Sequence, residues 1–443
     1  MKRFVTLLFL LLTFPVFSQI SEDVKSEIRK RVDTGINPSI VLGVWTPQSE
    51  DYYVYGYADK EKNVKAGEET LYEIGSITKT FTALLLARYV DEGSIKLSDA
   101  VDSFLPDGIR LRDDEGNVIT LEQLSTHTSG LPRLPNNMKS LYTANPYQDY
   151  GRKELFEFLK SYKAGNIGKD FAYSNLAVGL LGEALALHKK GDYKELIQKD
   201  ILDVLGLKNT YFEIPEEAQS KFATGYAGEK PTSAWDFQAI AAAGALRADI
   251  RDLVKYGRSY LDKGNSLKSA MELTSKPYFT DKNGLGHGLG WFINPGEILV
   301  HNGGTGGFRT FISIDKTNQK IVAIMTNSGS NPTEDIAIHL MNPEKNKLIA
   351  TKDEQDLSEE DLNTYTGSFE NSQYGLNYLL SLKEGKLFAK LGAQDAFQLF
   401  YEGDDTFFYK VVKAKVSFQR NDNKEITGLT LLQNGQEIPF TKK

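Results

Sequence analysis

Strand-forming segments stand at the two ends of the first 345 residues, and a long helical region separates them. The stretches with strand character are residues 40–45, 52–57, 298–301, 308–315 and 320–327. The clearest helical periodicity lies in residues 78–90, 155–162, 176–187 and 193–205. Strands this far apart in the chain can share one sheet when the helices form an insertion between them. We therefore predict an α/β (α+β) fold in which a sheet flanked by helices carries an inserted, mainly helical subdomain.

The pattern changes after residue 345. Residues 346–361 are rich in Lys, Glu and Asp, which predicts a linker. Residues 362–443 show short alternating strands separated by turn-forming pairs, at Glu384-Gly385, Gly403-Asp404, Asn421-Asp422 and Asn434-Gly435. We predict a main domain over residues 19–345 and a small β domain over residues 362–443. That domain is barrel-like, with a sandwich as the alternative.

The first 18 residues predict a secretory signal peptide. Lys2 and Arg3 form a basic start, residues 4–17 are almost wholly apolar, and Val16-Phe17-Ser18 resembles a cleavage site. The alternative is a membrane anchor, but a spanning helix needs about 20 apolar residues, more than this run provides. We therefore expect a mature chain without a transmembrane segment, secreted most simply to a bacterial periplasm.

Composition excludes several classes of protein. The chain has no cysteine, so disulfides, thiolate metal sites and cysteine nucleophiles are absent. The net charge is −7, and loss of Lys2 and Arg3 with the signal peptide leaves −9, which argues against a nucleic-acid partner. None of the five histidines forms a zinc-binding helix motif, so we predict no metal and no cofactor.

Gly75-Ser76-Ile77-Thr78-Lys79 is the segment with the clearest chemical potential. Residues three apart share one face of a helix, so the Ser76 hydroxyl and the Lys79 amine can come within hydrogen-bond distance. A serine becomes a nucleophile when a base takes its proton, and a lysine is such a base once burial lowers its pKa. The alternative is a helix cap followed by a surface lysine. The strongly apolar residues 81–90 favour a buried helix and hence a functional pair.

Two later segments carry further candidates. Tyr173-Ser174-Asn175 precedes an apolar helix, so Tyr173 can relay a proton and Asn175 can bind a substrate amide. The alternative is a core tyrosine followed by a helix cap. His301-Asn302-Gly303-Gly304 ends a strand, where glycines let a ligand approach the backbone and His301 can bind a substrate carboxylate. The alternative there is a glycine-rich loop with an incidental histidine.

Taken together, the three segments resemble the ordered motifs of the penicillin-recognising serine hydrolases. These are the class C β-lactamases, DD-peptidases, D-aminopeptidases and family VIII-type esterases. The resemblance covers about residues 22–345 and includes the flanking stretches LYEIGSITKTFTA (71–83), LSTHTSGLP (124–132), YSNLAVGLLG (173–182) and LGLKNT (205–210). It implies an antiparallel sheet flanked by helices and hydrolysis through an acyl-enzyme.

The resemblance also implies a role for each residue. Ser76 would be the nucleophile, Lys79 the base and Tyr173 the proton relay. Asn175 would orient Lys79 and the substrate, and the backbone N–H groups of Ser76 and Gly304 would form an oxyanion hole. The substrate-binding positions of the third motif are His301, Asn302, Gly303 and Gly304.

The third motif departs from that of class C β-lactamases, and the departure leaves the substrate open. His301 stands where those enzymes carry lysine, and Asn302 replaces a Thr or Ser hydroxyl. The expected substrate is a D-amino-acid peptide of cell-wall type or a β-lactam. The alternatives are a carboxylesterase on the same scaffold and a non-catalytic binding protein. Specificity is expected in the loops over residues 132–150 and 226–243.

Overall fold

A computed structural model describes residues 19–351, 353–412, 414–433 and 435–443. The predicted signal peptide lies outside the described residues. In the part of the chain that is described, no helix combines the length and the apolar character needed to cross a bilayer.

The regular elements follow the predicted distribution. The α-helices are α1 (Glu22–Asp33), α2 (Thr78–Asp91), α3 (Leu121–Ser125), α4 (Arg152–Ser161), α5 (Asn175–Lys189), α6 (Tyr193–Ile197), α7 (Asp203–Leu205), α8 (Ile250–Ser259), α9 (Lys268–Thr274), α10 (Glu334–Met341) and α11 (Glu359–Thr364). Short 3₁₀ helices cover Gly75–Ile77, Val101–Ser103, Glu216–Lys221 and Ala241–Ala243, and a π-helical segment covers Gln198–Leu202.

The strands fall into two large sheets and two small ones. Those of the first 345 residues are β1 (Ser39–Thr46), β2 (Ser49–Asp59), β3 (Val64–Lys65), β4 (Tyr72–Glu73), β5 (Thr210–Tyr211), β6 (Gly225–Ala227), β7 (Lys230–Thr232), β8 (Arg247–Ala248), β9 (Phe279–Thr280), β10 (Gly286–His287), β11 (Phe292–Asn294), β12 (Ile298–Gly304), β13 (Arg309–Asp315) and β14 (Lys320–Thr326). The later ones are β15 (Gly367–Asn371), β16 (Leu376–Lys383), β17 (Lys386–Leu391), β18 (Phe397–Gln398), β19 (Phe400–Gly403), β20 (Thr406–Phe408), β21 (Ala414–Arg420), β22 (Ile426–Gln433) and β23 (Gln436–Lys442).

The main sheet joins the two ends of the first 345 residues. Its order is β3-β2-β1-β14-β13-β12-β11-β10-β9, and neighbouring strands are antiparallel. Strand β1 pairs with β14, so that Ile40 lies opposite Thr326 and Trp45 opposite Ile321. The helices α2 to α9 and the two small sheets lie between β3 and β14 in the chain, as the insertion predicted from the sequence requires.

Helices cover both faces of this sheet because its central strands are apolar on both sides. On one face, Ile40 and Leu42 of β1 pack with helices α1 and α10. On the other face, Val41 joins the large core that contains α2 and α8. Helix α8 approaches closely because β1 carries Gly43, where a Cβ atom would lie 2.6 Å from Cγ2 of Val254.

Helix α2 runs through the centre of the large core. Its residues from Thr78 to Ala87 are all buried, which is typical of a helix that is apolar on every side. The 3₁₀ turn Gly75–Ile77 leads directly into it. The nucleophile candidate Ser76 therefore lies on a rigid support rather than on a surface loop.

The C-terminal residues form a second antiparallel sheet with its own core. Its order is β18-β17-β16-β15-β23-β22-β21-β20-β19, and its two edge strands are consecutive in the chain. Only Leu399 separates the edge strands β18 and β19, so the two edges lie side by side and the sheet forms a nearly closed barrel shape. Helix α11 begins at Glu359, inside the stretch predicted as a linker. Serine at its N-cap, Ser358, accepts from the N–H of Asp361 and starts that helix.

Candidate active site

Ser76 and Lys79 meet at the start of α2. The Lys79 Nζ atom lies 2.9 Å from Ser76 Oγ, as the three-residue spacing predicts. Ser76 belongs to the 3₁₀ turn and Lys79 to the first turn of α2, so the helix N-terminus also faces the hydroxyl. The positive end of the helix dipole favours negative charge on the serine oxygen.

Lys79 is almost wholly removed from water, with 1% of its surface exposed. Its amine donates to the carbonyl oxygen of Ala243 at 2.6 Å. Burial, and secondarily the nearby Arg133 cation, lower the pKa of Lys79 well below its usual value of 10.5. Among the described ion pairs none includes Lys79, so no carboxylate offsets this effect. A neutral amine beside the hydroxyl can accept the serine proton.

Tyr173 lies over the same amine. Its ring centroid is 4.9 Å from Lys79 Nζ and 4.4 Å from the ring centroid of His127. Burial raises the pKa of Tyr173 to about 12, while a hydrogen bond with Ser76 acts in the opposite direction. The tyrosine therefore stays protonated near neutral pH and can pass its proton to a leaving group. His127 supports the segment, since its Nδ1 accepts from the N–H of Ser174 at 3.1 Å.

Asn175 is the first residue of helix α5, and the oxygen of its side-chain amide has no hydrogen-bond partner. Ser174 caps the helix by accepting from the N–H of Ala177 at 2.9 Å, as the alternative interpretation of this segment predicts. The Asn175 amide nitrogen donates to the Tyr147 hydroxyl at 3.0 Å. Its Oδ1 atom is buried and has no hydrogen-bond partner. A buried acceptor without a partner is costly, so a substrate N–H group would complete it.

His301 is buried on strand β12, with 2% of its surface exposed. Its Nδ1 lies 2.7 Å from the carbonyl oxygen of Asn302, so Nδ1 carries the proton and Nε2 is left as an acceptor. Burial, together with the nearby Lys79, lowers the pKa of His301 to about 3. The imidazole is therefore neutral near pH 7 and brings no positive charge to the site.

The glycines of β12 make room for the nucleophile turn. A Cβ atom on Gly303 would lie 2.0 Å from the carbonyl oxygen of Ile74, and one on Gly75 would lie 2.7 Å from the nitrogen of Gly304. Gly75 also has φ +49°, a conformation that glycine adopts at low cost. The turn that carries Ser76 is thus packed directly against the end of β12, where the resemblance places the two oxyanion donors, the N–H groups of Ser76 and Gly304.

Asn302 is not brought together with the other candidates. It is exposed, and its amide donates to Oε1 of Glu334 at 3.0 Å, at the start of helix α10. The reason is the alternation of a strand: because His301 faces inward, the next side chain faces the opposite side of the sheet. The structure therefore brings together Ser76, Lys79, Tyr173, His301 and the two glycines, and leaves Asn302 outside. The described hydrogen bonds of Asn175 go to Tyr147 and Arg133 rather than to Lys79, so its orientation of Lys79 stays a prediction.

Three groups of the site carry no signal that we recognised in the sequence. The carbonyl oxygen of Ala243 accepts from Lys79, and a backbone acceptor has no sequence signature. Tyr147 and Arg133 lie beside Asn175 and Tyr173, and both belong to the loop expected to set specificity. Among the described residues no group of His, Asp or Glu side chains is arranged to hold a metal ion.

The fold and this site define the class of protein. Residues 24–341 match the family model described as Beta-lactamase, so the chain belongs to the beta-lactamase family, whose members are serine hydrolases. Residues 351–442 match a second model, described as Domain of unknown function (DUF3471).

Curated relatives agree with this assignment. The chain is 30% identical over 289 residues to "Beta-lactamase" of Pseudomonas fluorescens, which covers 62% of this chain and 77% of the relative. It is 28% identical over 299 residues to "Beta-lactamase" of Escherichia coli K12, covering 65% and 75%. It is also 28% identical to "Protein flp" of Staphylococcus aureus strain COL, covering 65% of this chain and 58% of that protein.

Solved structures share the fold. A beta-lactamase/D-alanine carboxypeptidase from Pseudomonas syringae superimposes with a TM-score of 0.63 at 23% identity, over 72% of this chain and 97% of that one. An octameric penicillin-binding protein homologue from Pyrococcus abyssi superimposes with a TM-score of 0.64 at 24% identity, over 95% of this chain and 99% of that one. The second similarity includes the C-terminal sheet.

Proposed function

We propose that this protein is an exported serine hydrolase that forms an acyl-enzyme on Ser76. The observation that carries the proposal is the 2.9 Å contact between Ser76 Oγ and the buried Lys79 amine, which has no carboxylate partner among the described residues. Burial lowers the pKa of Lys79, which favours the neutral amine that can accept the serine proton.

The reaction would proceed in two steps. In the first, Lys79 accepts the Ser76 proton while Oγ attacks the substrate carbonyl carbon, and the N–H groups of Ser76 and Gly304 bind the developing oxyanion. Such donors contribute about 3 kcal/mol each to transition-state stabilisation. Tyr173 then donates its proton to the leaving group as the bond to the carbonyl carbon breaks, and the proton held by Lys79 replaces it. In the second step, water attacks the acyl-serine and gives up a proton to the Lys79–Tyr173 pair. That pair returns a proton to Ser76 Oγ as the ester bond breaks, which releases the carboxylic acid and restores the free hydroxyl.

We assign the substrate to D-amino-acid peptides or β-lactams. The P. fluorescens and E. coli relatives carry the name Beta-lactamase, and one structural neighbour is titled a D-alanine carboxypeptidase. The partnerless Oδ1 of Asn175 supports this assignment because amides and β-lactams with acylamino groups bring an N–H donor. An ester substrate without an N–H group would leave this atom unsatisfied.

A carboxylesterase is the second candidate, and the neutrality of His301 favours it. With the pKa of His301 lowered to about 3 by burial, the third motif provides no cation for a substrate carboxylate. Hydrolysis of p-nitrophenyl esters without any hydrolysis of D-Ala-D-Ala peptides would select the esterase.

Intact-mass spectrometry with a penicillin tests the proposal directly. A lasting adduct on Ser76 indicates a peptidase-like enzyme with slow deacylation, and an adduct that disappears as the drug is consumed indicates a β-lactamase. Absence of an adduct combined with labelling by a serine-directed phosphonate indicates an esterase or a D-aminopeptidase. The control is Ser76→Ala, which removes the nucleophile. Equal labelling of Ser76→Ala, or no labelling of the native protein by any acylating probe, contradicts the acyl-enzyme and leaves a binding protein.

Export and the proton relay have separate tests. The mass of the mature protein from the periplasm should correspond to cleavage near residue 18, and a full-length mass there would contradict the signal peptide. Tyr173→Phe should keep the ring contacts with Lys79 and His127 while lowering kcat about 10² to 10⁴-fold. Tyr142→Phe is its control, since that ring is 97% exposed.

A further inference from the structure

The loop between helices α3 and α4 places a cation at the edge of the active site. The guanidinium carbon of Arg133 is 5.3 Å from the ring centroid of Tyr173, on a side chain that is exposed to solvent. A guanidinium over an aromatic face is favourably held, and its remaining donors are free to bind an anion.

The backbone of this residue is firmly fixed. The carbonyl oxygen of Arg133 accepts from the N–H groups of Asn175 and Leu176, at 3.0 and 3.3 Å. The preceding carbonyl, that of Pro132, accepts from the Ser174 hydroxyl at 2.6 Å. The loop is thus tied to the same helix start that carries Tyr173 and Asn175, so the cation keeps its position relative to the site.

Arg133 has no carboxylate partner among the described residues. Two other arginines near the site, in contrast, bind acceptor groups of the protein. Arg247 lies 3.6 Å from Glu73 and donates to the carbonyl oxygen of Trp235. Arg309 donates to the carbonyl oxygens of Thr305 and Phe308, at 2.8 and 2.9 Å. A guanidinium without a carboxylate partner attracts anionic ligands.

Two basic groups of the catalytic motifs have lowered pKa values. Burial lowers the pKa of His301 to about 3 and lowers that of Lys79 well below its usual value. The third motif therefore brings a neutral imidazole to the site, whereas Arg133 brings an exposed cation.

We propose that Arg133 binds a carboxylate of the substrate and so takes over the anion recognition first assigned to His301. This inference rests on the proposed hydrolase function and specifies its substrate class: acyl compounds that carry a free carboxylate. A bidentate pair between guanidinium and carboxylate would fix the substrate while the acceptor of Asn175 receives its N–H group.

Matched substrate pairs provide the kinetic test. One pair is a hippuryl thioester of thioglycolate and its methyl ester, and the other is p-nitrophenyl hydrogen succinate and its methyl ester. The native protein should prefer the carboxylate in at least one pair by about tenfold or more in kcat/KM, and added salt should reduce this preference. Arg133→Gln should remove this preference mainly by raising the KM of the carboxylate substrate. Arg133→Lys should restore part of the preference, because lysine keeps the positive charge but cannot bind a carboxylate through two parallel hydrogen bonds.

Two further variants separate charge from folding. Arg133→Glu should reverse the preference, so that the neutral member is hydrolysed faster. Lys139→Gln removes an exposed cation from the same loop and should leave the preference unchanged. These rates are measured at a pH high enough that acylation no longer changes with pH. An equal loss of kcat/KM on both members of each pair would show that Arg133 only positions the loop and would overturn the proposal. Retention of the preference in Arg133→Gln would also overturn it.

A binding measurement distinguishes this inference from the proposed function. In Ser76→Ala, which cannot form an acyl-enzyme, calorimetry should show tighter binding of an N-acetyl-D-alanine dipeptide than of its methyl ester. The additional Arg133→Gln substitution should abolish that difference. If the native protein forms no acyl-enzyme but this difference is present, the hydrolase proposal fails and the anion site stands. If no difference is present, the anion site fails whatever the catalytic result.

Discussion

Gly75 and Gly304 touch through their backbones: a Cβ atom on Gly75 would lie 2.7 Å from the nitrogen of Gly304 and 3.0 Å from its oxygen. The contact joins the turn that carries the nucleophile to the end of β12. The proposed oxyanion donors are the N–H groups of Gly304 and of Ser76, the residue after Gly75, so a separation of the two segments should also separate the donors.

We expect Gly75→Ala to impair acylation strongly. The added methyl group meets the β12 backbone, and the φ of +49° is unfavourable for alanine by about 1–2 kcal/mol. The rate of phosphonate labelling of Ser76 should fall at least about 10²-fold. The control is Gly93→Ala, which has φ +73° and no atom within 4 Å of a Cβ, and it should change stability alone. Labelling of Gly75→Ala at the native rate would contradict the role of this contact.

The acylation rate should depend on the protonation of Lys79. The pKa of Lys79 is lowered by burial, and the base acts only when unprotonated, so the rate should rise with pH through that lowered pKa and then level off. Stopped-flow acylation between about pH 5 and pH 9 measures this limb. A rate that does not change over this range would exclude a lysine base. Lys79→Arg should be inactive throughout because its guanidinium stays charged.

The same group links stability to pH. Because the folded pKa of Lys79 lies below the unfolded value of 10.5, the unfolded chain binds more protons between the two values. The free energy of unfolding of the native protein, relative to Lys79→Met, should therefore increase with pH across this window. Urea titrations of both proteins at several pH values measure the difference. A difference that is constant with pH would mean that Lys79 is charged in the folded state.

His301 should remain neutral over the whole physiological range. Burial lowers its pKa to about 3, so its imidazole NMR signals should not shift between about pH 5 and pH 8. Unfolded histidine has a pKa near 6.5, so the folded state loses stability as the pH falls from about 6.5 towards 3. His301→Gln should reduce that loss by up to about 1.4 kcal/mol per pH unit. A titration of His301 near pH 6.5 would contradict the neutral imidazole. It would instead support the binding of the substrate carboxylate by His301.

Glu27 should matter for stability although it is far from the active site. It is 5% exposed, accepts from Arg31 at 2.8 Å, and accepts from the backbone and side chain of Thr351 at 3.0 and 2.6 Å. Glu27→Ala removes the acceptor of Arg31 Nε and of both Thr351 donors, while Arg31 keeps its pair with Asp335, and should cost about 1–3 kcal/mol of unfolding free energy. Glu22→Ala, on the exposed side of the same helix, should change it by less than about 1 kcal/mol. Equal effects of the two substitutions in urea titrations would refute the role of Glu27.

The predictable parts of this protein are those that depend on local periodicity. The apolar residues after Ser76 predicted the buried helix α2, and the spacing of three predicted the contact with Lys79. The turn pairs at Glu384-Gly385 and Gly403-Asp404 stand at positive φ, as glycine-containing turns require. The same alternation that buries His301 also turns Asn302 away, so the pattern of β12 held this information although the motif resemblance obscured it.

The sequence by itself determined the helices, the strands, the insertion between them and the Ser76–Lys79 pair, because periodicity and short spacings act over a few residues. The tertiary structure decided which distant groups surround that pair. It brought the carbonyl oxygen of Ala243 to Lys79, the backbone of Gly304 to Gly75, and Arg133 to Tyr173. It also decided that the pKa values of Lys79 and His301 are lowered, since desolvation depends on packing by residues far away in the chain.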